Sequence, residues 1–375
     1  IALAIRRSGF PELQELFGLA LGGVVDRNAA LATWRPQGDQ EKVEHVFARQ
    51  ALGMSWDFAE AVPISASTGS LDDRIEVLSR TAEALATWAA CDAVSRNGQV
   101  QLADASEHPL PNETAAVWFT DPPYYDAVPY AHLSDFFYVW LRRALASNES
   151  GPFSHTVAPK DSEIVVDRPH RLSASKKDVA HYEAGMAKSF AEGRRILGPN
   201  GIGSVVFAHK TTEGWEALLS GMIRGGWTIT GSWPVATEMG ARLNARETAS
   251  LATSVHLICR PRPDDAGVGD WASVLRELPK RVGDWMERLQ GEGVRGADLV
   301  FACIGPALEI FSRYAKVETA DGREVALAEY LEKVWEVVGR SALAQVLGTA
   351  EAKARNGAAG AVEEDARLTA LFLWT

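Results

Sequence analysis

The strongest constraint on the fold is an alternation of strand-like and helix-like segments between residues 99 and 259. The predicted strands are 99–103, 115–120, 203–208, 227–234 and 254–259, and the predicted helices are 181–197 and 211–222. Such alternation is typical of α/β proteins with a mainly parallel sheet. The last two strands follow each other without a helical segment, which predicts an antiparallel hairpin. We therefore expect a doubly wound, Rossmann-like α/β sheet.

Helical patterns flank this region on both sides. Residues 1–62 carry apolar side chains at helical spacing, and Ser70 is a predicted N-cap for a helix that runs to about residue 95. Further helices are predicted at 271–289 and 326–347, followed by an Ala/Gly-rich linker at 348–360. We accordingly divide the chain into a helical region (1–98), a sheet-containing core (99–262) and a C-terminal helical region (263–375).

Charge and cysteine content narrow the class of protein. The 38 basic and 49 acidic side chains give a net charge of −11, which argues against nucleic-acid binding through bulk charge but allows a local basic cleft. No apolar run is long enough to predict a membrane span. The three cysteines (Cys91, Cys259 and Cys303) lack paired spacing, so neither a disulfide framework nor a metal site is expected, and a cytoplasmic location is predicted.

One short motif indicates a candidate ligand-binding or catalytic site. Asp121-Pro122-Pro123-Tyr124 directly follows a predicted buried strand, and open α/β sheets bind ligands at the carboxyl ends of their strands. Two successive prolines fix φ and remove two backbone donors, so nearby carbonyl groups are left to face a ligand. Tyr124 adds an aromatic ring at the same position. The alternative is that Pro-Pro after an acid is only a turn.

This motif resembles the signature of S-adenosylmethionine-dependent methyltransferases that act on exocyclic amino groups of nucleobases. The wider stretch 120–143 is similar to a family of zinc-ribbon-containing, adenine-specific DNA methylases, as are segments 49–60, 206–210 and 301–308. The resemblance covers about residues 10 to 345. It implies a methyltransferase fold with residues 99–262 as a partial catalytic core, S-adenosylmethionine as cofactor, and adenine N6 in DNA as the methylated atom.

The resemblance also implies roles for individual residues. Asp121, Pro122, Pro123 and Tyr124 would handle the target amino group, Tyr125 and His209 would contact the substrate, and Asp104 would lie near the cofactor's adenine ring. His209 follows a predicted strand end, where a substrate or phosphate contact competes with a purely structural role. An aspartate at the first motif position favours adenine over cytosine, because the related cytosine enzymes more often carry Ser there.

Two features depart from the family. A glycine-rich cofactor loop of the Phe-x-Gly-x-Gly type is not found upstream of Asp121, and the zinc-ribbon cysteines are not found either. The chain opens without Met and ends in the apolar run 371–375, so we expect a fragment. A missing N-terminal segment or a partner protein would then complete the cofactor site.

Two alternatives remain open at this point. Similar Asp/Asn-Pro-Pro-Tyr motifs occur in RNA guanine-N2 methyltransferases, so RNA is a possible substrate. The missing glycine-rich loop favours a second alternative, a non-catalytic, methyltransferase-like subunit that binds nucleic acid or a partner protein.

Overall fold

The structure is a computed structural model, and it describes residues 1–36, 42–47, 52, 59–90, 98–145, 151–167, 177–209, 211–236, 253–294, 299 and 302–354. These residues form a mixed α/β protein with two compact units, one comprising 1–102 and 128–163 and the other comprising 103–127 and 164–375. Within the described part of the chain, no helix combines the length and apolarity needed to cross a membrane. The three segments predicted from composition stay a prediction.

The first unit is mainly helical. Its elements are α1 (Ala2–Arg6), α2 (Pro11–Arg27), β1 (Trp34–Arg35), β2 (Lys42–Val43), α3 (Leu71–Ala90) and α4 (Tyr130–Leu145). Helix α4 packs against α1 and α2 through a small core that includes Ile5, Leu21 and Ala144. The Ser70 side chain accepts a hydrogen bond from the Asp73 amide at 3.2 Å, which confirms the predicted N-cap of α3.

The second unit is built on a four-stranded mixed sheet in the order β3-β4-β6-β5. Its strands are β3 (Ala115–Thr120), β4 (Leu197–Phe207), β5 (Trp227–Ala236) and β6 (Thr253–Pro261). Strand β3 is parallel to β4, and β6 is antiparallel to both β4 and β5. Strands β3, β4 and β5 therefore run in one direction, and their carboxyl ends lie at one edge of the sheet. The predicted hairpin between the last two strands is confirmed.

Helices α5 (Val179–Ile196) and α6 (Thr212–Arg224) pack on one face of this sheet. On this face Trp118 of β3 stacks on Trp227 of β5 at a centroid distance of 5.0 Å. A Cβ atom on Gly193 of α5 would collide with the Trp118 ring, so the close approach of helix and strand requires a glycine there. On the other face of β3, Val117 and Phe119 are 63% and 62% exposed, so this strand is not buried as the sequence predicted, because it lies at the edge of the sheet.

The remaining elements of the second unit are β7 (Val268–Asp270), α7 (Trp271–Gly291), α8 (Ile304–Ser312), β8 (Lys316–Glu318) and α9 (Leu327–Ala354). Strands β7 and β8 form a separate parallel pair. Helix α8 runs along β5, where the Ser312 hydroxyl accepts a hydrogen bond from the Ile229 amide at 2.9 Å. These helices extend the core of the sheet, so the C-terminal helical region belongs to the same packed unit.

Three local predictions are wrong. Residues 99–103 do not form a strand: Val100 and Leu102 are fully or largely exposed, and no described strand pairs with them. Residues 42–43 form a strand instead of a helix because they pair with Trp34 and Arg35. Residues 348–354 continue α9 instead of forming a linker, since Ala and Lys outweigh a single glycine. The rest of that predicted linker, 355–360, lies outside the described residues.

Candidate active site

The Asp-Pro-Pro-Tyr motif lies at the carboxyl edge of the parallel strands. Strand β3 ends at Thr120, which pairs with Val205 of β4, and β4 itself ends at Phe207. Asp121 therefore begins a loop beside the end of β4, as the sequence predicted for a ligand-binding edge. The strand is short because the two prolines that follow Asp121 cannot donate ladder hydrogen bonds.

Asp121 presents an unengaged carboxylate. Its side chain is exposed, and among the described residues it makes no hydrogen bond and no ion pair. An aspartate in a loop commonly folds back to accept a hydrogen bond from the backbone amide two residues later. Residues 122 and 123 are prolines without an N–H group, so this local capture is impossible. The sequence thus keeps the carboxylate available.

The carbonyl group of Pro123 is used inside the fold. It accepts hydrogen bonds from the Tyr125 amide at 3.0 Å and from the Tyr182 hydroxyl at 2.9 Å. Tyr182 is a buried residue of α5. Within the described residues, no hydrogen bond reaches the Pro122 carbonyl. Of the two proline carbonyls, Pro122 is therefore the one without a partner in the described part of the chain, and the residue itself is buried.

The two tyrosines of the motif loop have different environments. Tyr124 is half-buried, and its ring lies edge-on to Phe207 at 5.4 Å. Tyr125 is only 6% exposed and has a φ of 54°, a left-handed conformation that is rare for a bulky residue. Its ring lies between Tyr182 and His209. Tyr124 is thus the tyrosine that keeps some accessible surface, while the predicted substrate contact of Tyr125 stays a prediction.

His209 lies two residues beyond the end of β4, close to the motif loop. It is 5% exposed, and its Nε2 lies 3.2 Å from Oδ1 of Asp126. Its Nδ1 accepts a hydrogen bond from the Thr211 amide at 3.2 Å. The structure therefore brings His209 to the predicted edge, with both ring nitrogens engaged by protein groups. The predicted substrate contact of this residue stays a prediction.

Asp104 is not brought to this edge. It lies in the loop before β3, where its Oδ1 accepts hydrogen bonds from the Ser106 hydroxyl at 2.7 Å and the Ser106 amide at 2.8 Å. These two bonds lower the pKa of Asp104, and the charge of Lys188 on α5 lowers it further. The predicted strand that would have carried Asp104 to the carboxyl edge is not formed. Its predicted cofactor contact stays a prediction.

The loop that follows Asp104 is attached to the other end of β3. The Arg195 guanidinium, at the end of α5, donates to the carbonyl groups of His108 and Leu110 at 2.8 and 3.0 Å. Glu192 accepts a hydrogen bond from the His108 amide at 3.0 Å. Because Ala115 pairs with Leu197 directly after α5, these contacts mark the amino-terminal edge of the sheet.

Sequence reasoning missed Asp126, Tyr182 and Thr211, which hold the motif loop and the His209 ring. Asp126 follows the motif by two residues, and a polar group there could have been found as a partner for His209. Thr211 precedes α6, where its hydroxyl accepts from the Gly214 amide at 3.3 Å, so its sequence signal is that of an N-cap. Nothing in the helix sequence distinguishes Tyr182 from an ordinary core residue.

Comparisons with known proteins add no relative: the chain matches no protein-family model, no curated protein and no solved structure.

Proposed function

We propose that this protein transfers a methyl group from S-adenosylmethionine to the exocyclic N6 amino group of adenine in DNA. The single observation that carries the proposal is the unengaged Asp121 carboxylate in an Asp-Pro-Pro-Tyr loop at the carboxyl edge of parallel strands. In the same loop the Pro123 carbonyl and the Asp126 carboxylate have partners within the fold, whereas the Asp121 side chain is exposed. The family resemblance of the sequence supplies the reaction class.

The chemistry asks for two hydrogen-bond acceptors close together. The lone pair of an adenine amino nitrogen is delocalised into the ring, so the nitrogen is a poor nucleophile. When the Asp121 carboxylate and the Pro122 carbonyl accept its two hydrogens, they favour a pyramidal nitrogen with a localised lone pair. When the nitrogen forms its bond to the methyl carbon it becomes positively charged, and it then gives up one proton to solvent; S-adenosylmethionine, when bound, would supply that carbon from its sulfonium and leave as the neutral thioether. The adjacent carboxylate stabilises that developing charge.

Tyr124 completes the proposed contact with the base. Its half-buried ring is held edge-on by Phe207, which fixes its orientation at the end of the strand. A base extruded from a duplex is held by stacking as well as by hydrogen bonds to its edge. We infer that Tyr124 provides this stacking surface while Asp121 and Pro122 take the amino group.

The assignment of S-adenosylmethionine as the methyl donor rests on the family resemblance alone. Asp104, the residue assigned to the cofactor from the sequence, uses its carboxylate in a local turn with Ser106 and lies in the loop that leads to the amino-terminal edge. No contact between described residues links Asp104 to the motif loop, so its predicted cofactor role stays a prediction. We derive no step through the cofactor.

The fold and setting are proposed with the same reasoning. Three strands that run in one direction, with helices on one face, support our proposal of a doubly wound, Rossmann-like sheet to which β6 adds an antiparallel strand. A cytoplasmic location and DNA as the macromolecular partner complete the proposal.

The test is methyl incorporation by the intact chain from S-adenosylmethionine with a labelled methyl group. DNA duplexes and RNA duplexes of the same sequence are compared, and the product is digested to nucleosides. We expect label in N6-methyladenine from DNA. As a control, DNA that carries purine in place of adenine lacks the amino group and should take up no label.

Two other outcomes would contradict the proposal. Label in N2-methylguanine from RNA would establish the RNA alternative. Saturable binding of DNA without label in any nucleoside would establish a binding subunit without catalysis.

A further inference from the structure

The motif loop contains a conformation that needs support. Tyr125 has a φ of 54°, which is unfavourable for a side chain of its size. Such a conformation persists only where the surrounding structure over-determines it, and it concentrates at functional sites. The groups that hold Tyr125 therefore also determine how the preceding residues are presented.

Backbone hydrogen bonds supply part of this support. The Tyr125 amide donates to the Pro123 carbonyl at 3.0 Å, and the Tyr125 carbonyl accepts from the Val166 amide at 3.0 Å. The Ala127 amide donates to the Tyr124 carbonyl at 2.9 Å. These bonds fix the backbone on both sides of Tyr125, but they do not fix its ring.

The ring of Tyr125 is held by two nearly perpendicular neighbours. Its centroid lies 5.3 Å from that of Tyr182 at 85° and 5.5 Å from that of His209 at 81°. Edge-to-face contacts of this kind are favourable because ring edges and ring faces carry opposite partial charge. Tyr182 also reaches the loop through its bond to the Pro123 carbonyl. His209 is the neighbour that connects the loop to β4 and α6.

The tautomer of His209 follows from its hydrogen bonds. A backbone amide can only donate, so the bond from the Thr211 amide makes Nδ1 an acceptor. The remaining proton of a neutral ring is then on Nε2, which lies 3.2 Å from the Asp126 carboxylate. The Thr211 hydroxyl lies 3.0 Å from Nδ1 and can donate to it, whereas the Thr211 carbonyl, which would need a proton on Nδ1, lies farther away at 3.4 Å. We assign the Nε2–H tautomer on these partners.

The His209 ring also packs so closely against α6 that the helix residue facing it cannot carry a side chain. A Cβ atom on Gly214 of α6 would collide with the imidazole, so this helix position must be glycine for the ring to sit there. The His209 carbonyl accepts a hydrogen bond from the indole of Trp215 at 2.9 Å, which holds the backbone of the same residue. Contacts with α6 and the position at the end of β4 therefore hold His209 in place independently of its contacts with the motif loop.

From this geometry we propose that His209 is a positioning residue: it donates from Nε2 to Asp126 and packs on Tyr125, and so sets the direction in which Asp121 and Pro122 face the target amine. The inference rests on the proposed function for its catalytic consequence. Its structural part, the contribution of the His209 imidazole to the order of the 121–127 loop, stands without any assumed activity.

The experiment measures loop order and turnover separately in the intact chain. The variants are His209→Ala, His209→Gln and Trp227→Phe. In His209→Gln the side-chain amide can still donate toward Asp126. Trp227→Phe is the matched control, because it removes one buried hydrogen bond, to the Phe190 carbonyl at 2.8 Å, at the amino-terminal edge of the sheet.

We expect His209→Ala to increase hydrogen exchange of the Tyr125, Ala127 and Val166 amides by about tenfold without ligand. Turnover should fall on the order of 100-fold, because misplacement of about 1 Å is that costly, while KM for DNA changes little. His209→Gln should recover most of both effects. Trp227→Phe should leave loop exchange and turnover unchanged.

Nitrogen NMR of the unsubstituted protein measures the tautomer of His209 directly, so this result does not depend on the stability of any variant. It should show the neutral Nε2–H tautomer for His209, and an Nδ1–H tautomer would overturn the proposal. Unchanged loop exchange in His209→Ala would overturn it as well. Increased loop exchange with no methyl transfer by the unsubstituted protein would support the positioning role while refuting the proposed function.

Discussion

The two loops that flank β3 look alike in sequence and differ in structure. Each contains an aspartate, Asp104 before the strand and Asp121 after it, and each contains one non-glycine residue with positive φ, Glu113 and Tyr125. In the first loop the carboxylate is engaged by Ser106 and Glu113 is exposed. In the second loop the carboxylate is unengaged among the described residues, and the strained residue is buried.

The difference comes from the residues that follow each acid. Ser106 stands two positions after Asp104 and offers both an amide and a hydroxyl, so the carboxylate closes a local turn. Two positions after Asp121 stands Pro123, which offers neither. The loop with the satisfied acid serves as a connection, and the loop with the available acid is fixed by buried aromatic rings. Availability of a polar group, more than its residue type, separates a candidate site from a turn.

The largest effect that we expect separates the two aspartates in catalysis. Asp121→Ala should lower kcat about 100- to 1000-fold, the usual loss when one preorganised group that stabilises transition-state charge is removed. Asp104→Ala should change kcat and cofactor affinity by less than about threefold, since a functional charged hydrogen bond contributes more than that. Steady-state kinetics and calorimetry with S-adenosylmethionine measure the two quantities.

A result from either variant can contradict this expected difference between Asp121 and Asp104. If Asp121→Ala kept near wild-type turnover, its carboxylate would have no catalytic role. If Asp104→Ala weakened cofactor binding tenfold or more, the cofactor contact predicted from the sequence would hold, and the two loops would both belong to the site. Circular dichroism of each variant serves as the control for folding.

A second effect should separate the two residues with positive φ. Glycine relieves the left-handed conformation, which costs roughly 1–2 kcal/mol for other residues, but it loses about 0.5–1 kcal/mol of chain entropy. Glu113→Gly should therefore raise the free energy of unfolding by about 0.5–1 kcal/mol. Tyr125→Gly gains the same relief but loses a buried ring, so its free energy of unfolding should fall by about 2–4 kcal/mol.

Urea denaturation of the intact chain measures both changes. Tyr125→Phe is the control, because it keeps the ring between Tyr182 and His209. A loss in Tyr125→Phe as large as that in Tyr125→Gly would show that the hydroxyl, not the packed ring, supports the loop.

Much of the sheet was predictable because its strands are rich in apolar residues. Four of the five predicted strands are confirmed; β4, β5 and β6 contain buried core residues, whereas the edge strand β3 is only partly buried. The fifth, 99–103, alternates like a strand, but alternation alone supplies no hydrogen-bonding partner, and its side chains remain exposed. Similarly, Val43 has helical spacing to its neighbours, yet pairing with Trp34 decides its conformation.

The candidate site was predictable only where a signal is local. The motif and its place after β3 follow from a few adjacent residues, and so does the edge position of His209. The contact of His209 with Asp126 joins residues 83 positions apart, and the bond from Tyr182 to Pro123 joins residues 59 apart. Such contacts depend on how helices and strands pack, which no short sequence pattern encodes.

The smallest effect concerns the acid that is already engaged. Hydrogen bonds from Ser106 lower the pKa of Asp104 below its usual value of 3.8. Ser106→Ala removes the hydroxyl donor and should raise this pKa back toward 3.8, as measured by NMR titration of the Asp104 carboxyl carbon. Ser189→Ala is the control: it removes a hydroxyl that donates to the Gly185 carbonyl on α5, and the pKa of Asp104 should not change.

The sign of the stability change follows from the direction of the shift. A carboxyl group with a lowered pKa in the folded state stabilises the fold above its unfolded pKa of about 3.9, and this contribution is lost as the pH falls through the folded value. Ser106→Ala should therefore be slightly less stable than the unsubstituted protein at neutral pH and equally stable once Asp104 is protonated in both. The difference is small because Asp104 is exposed and solvent screens its interactions. An unchanged pKa in Ser106→Ala would mean that the Ser106 hydroxyl does not hold the carboxylate, which would leave the backbone amide of residue 106 as its donor in this turn.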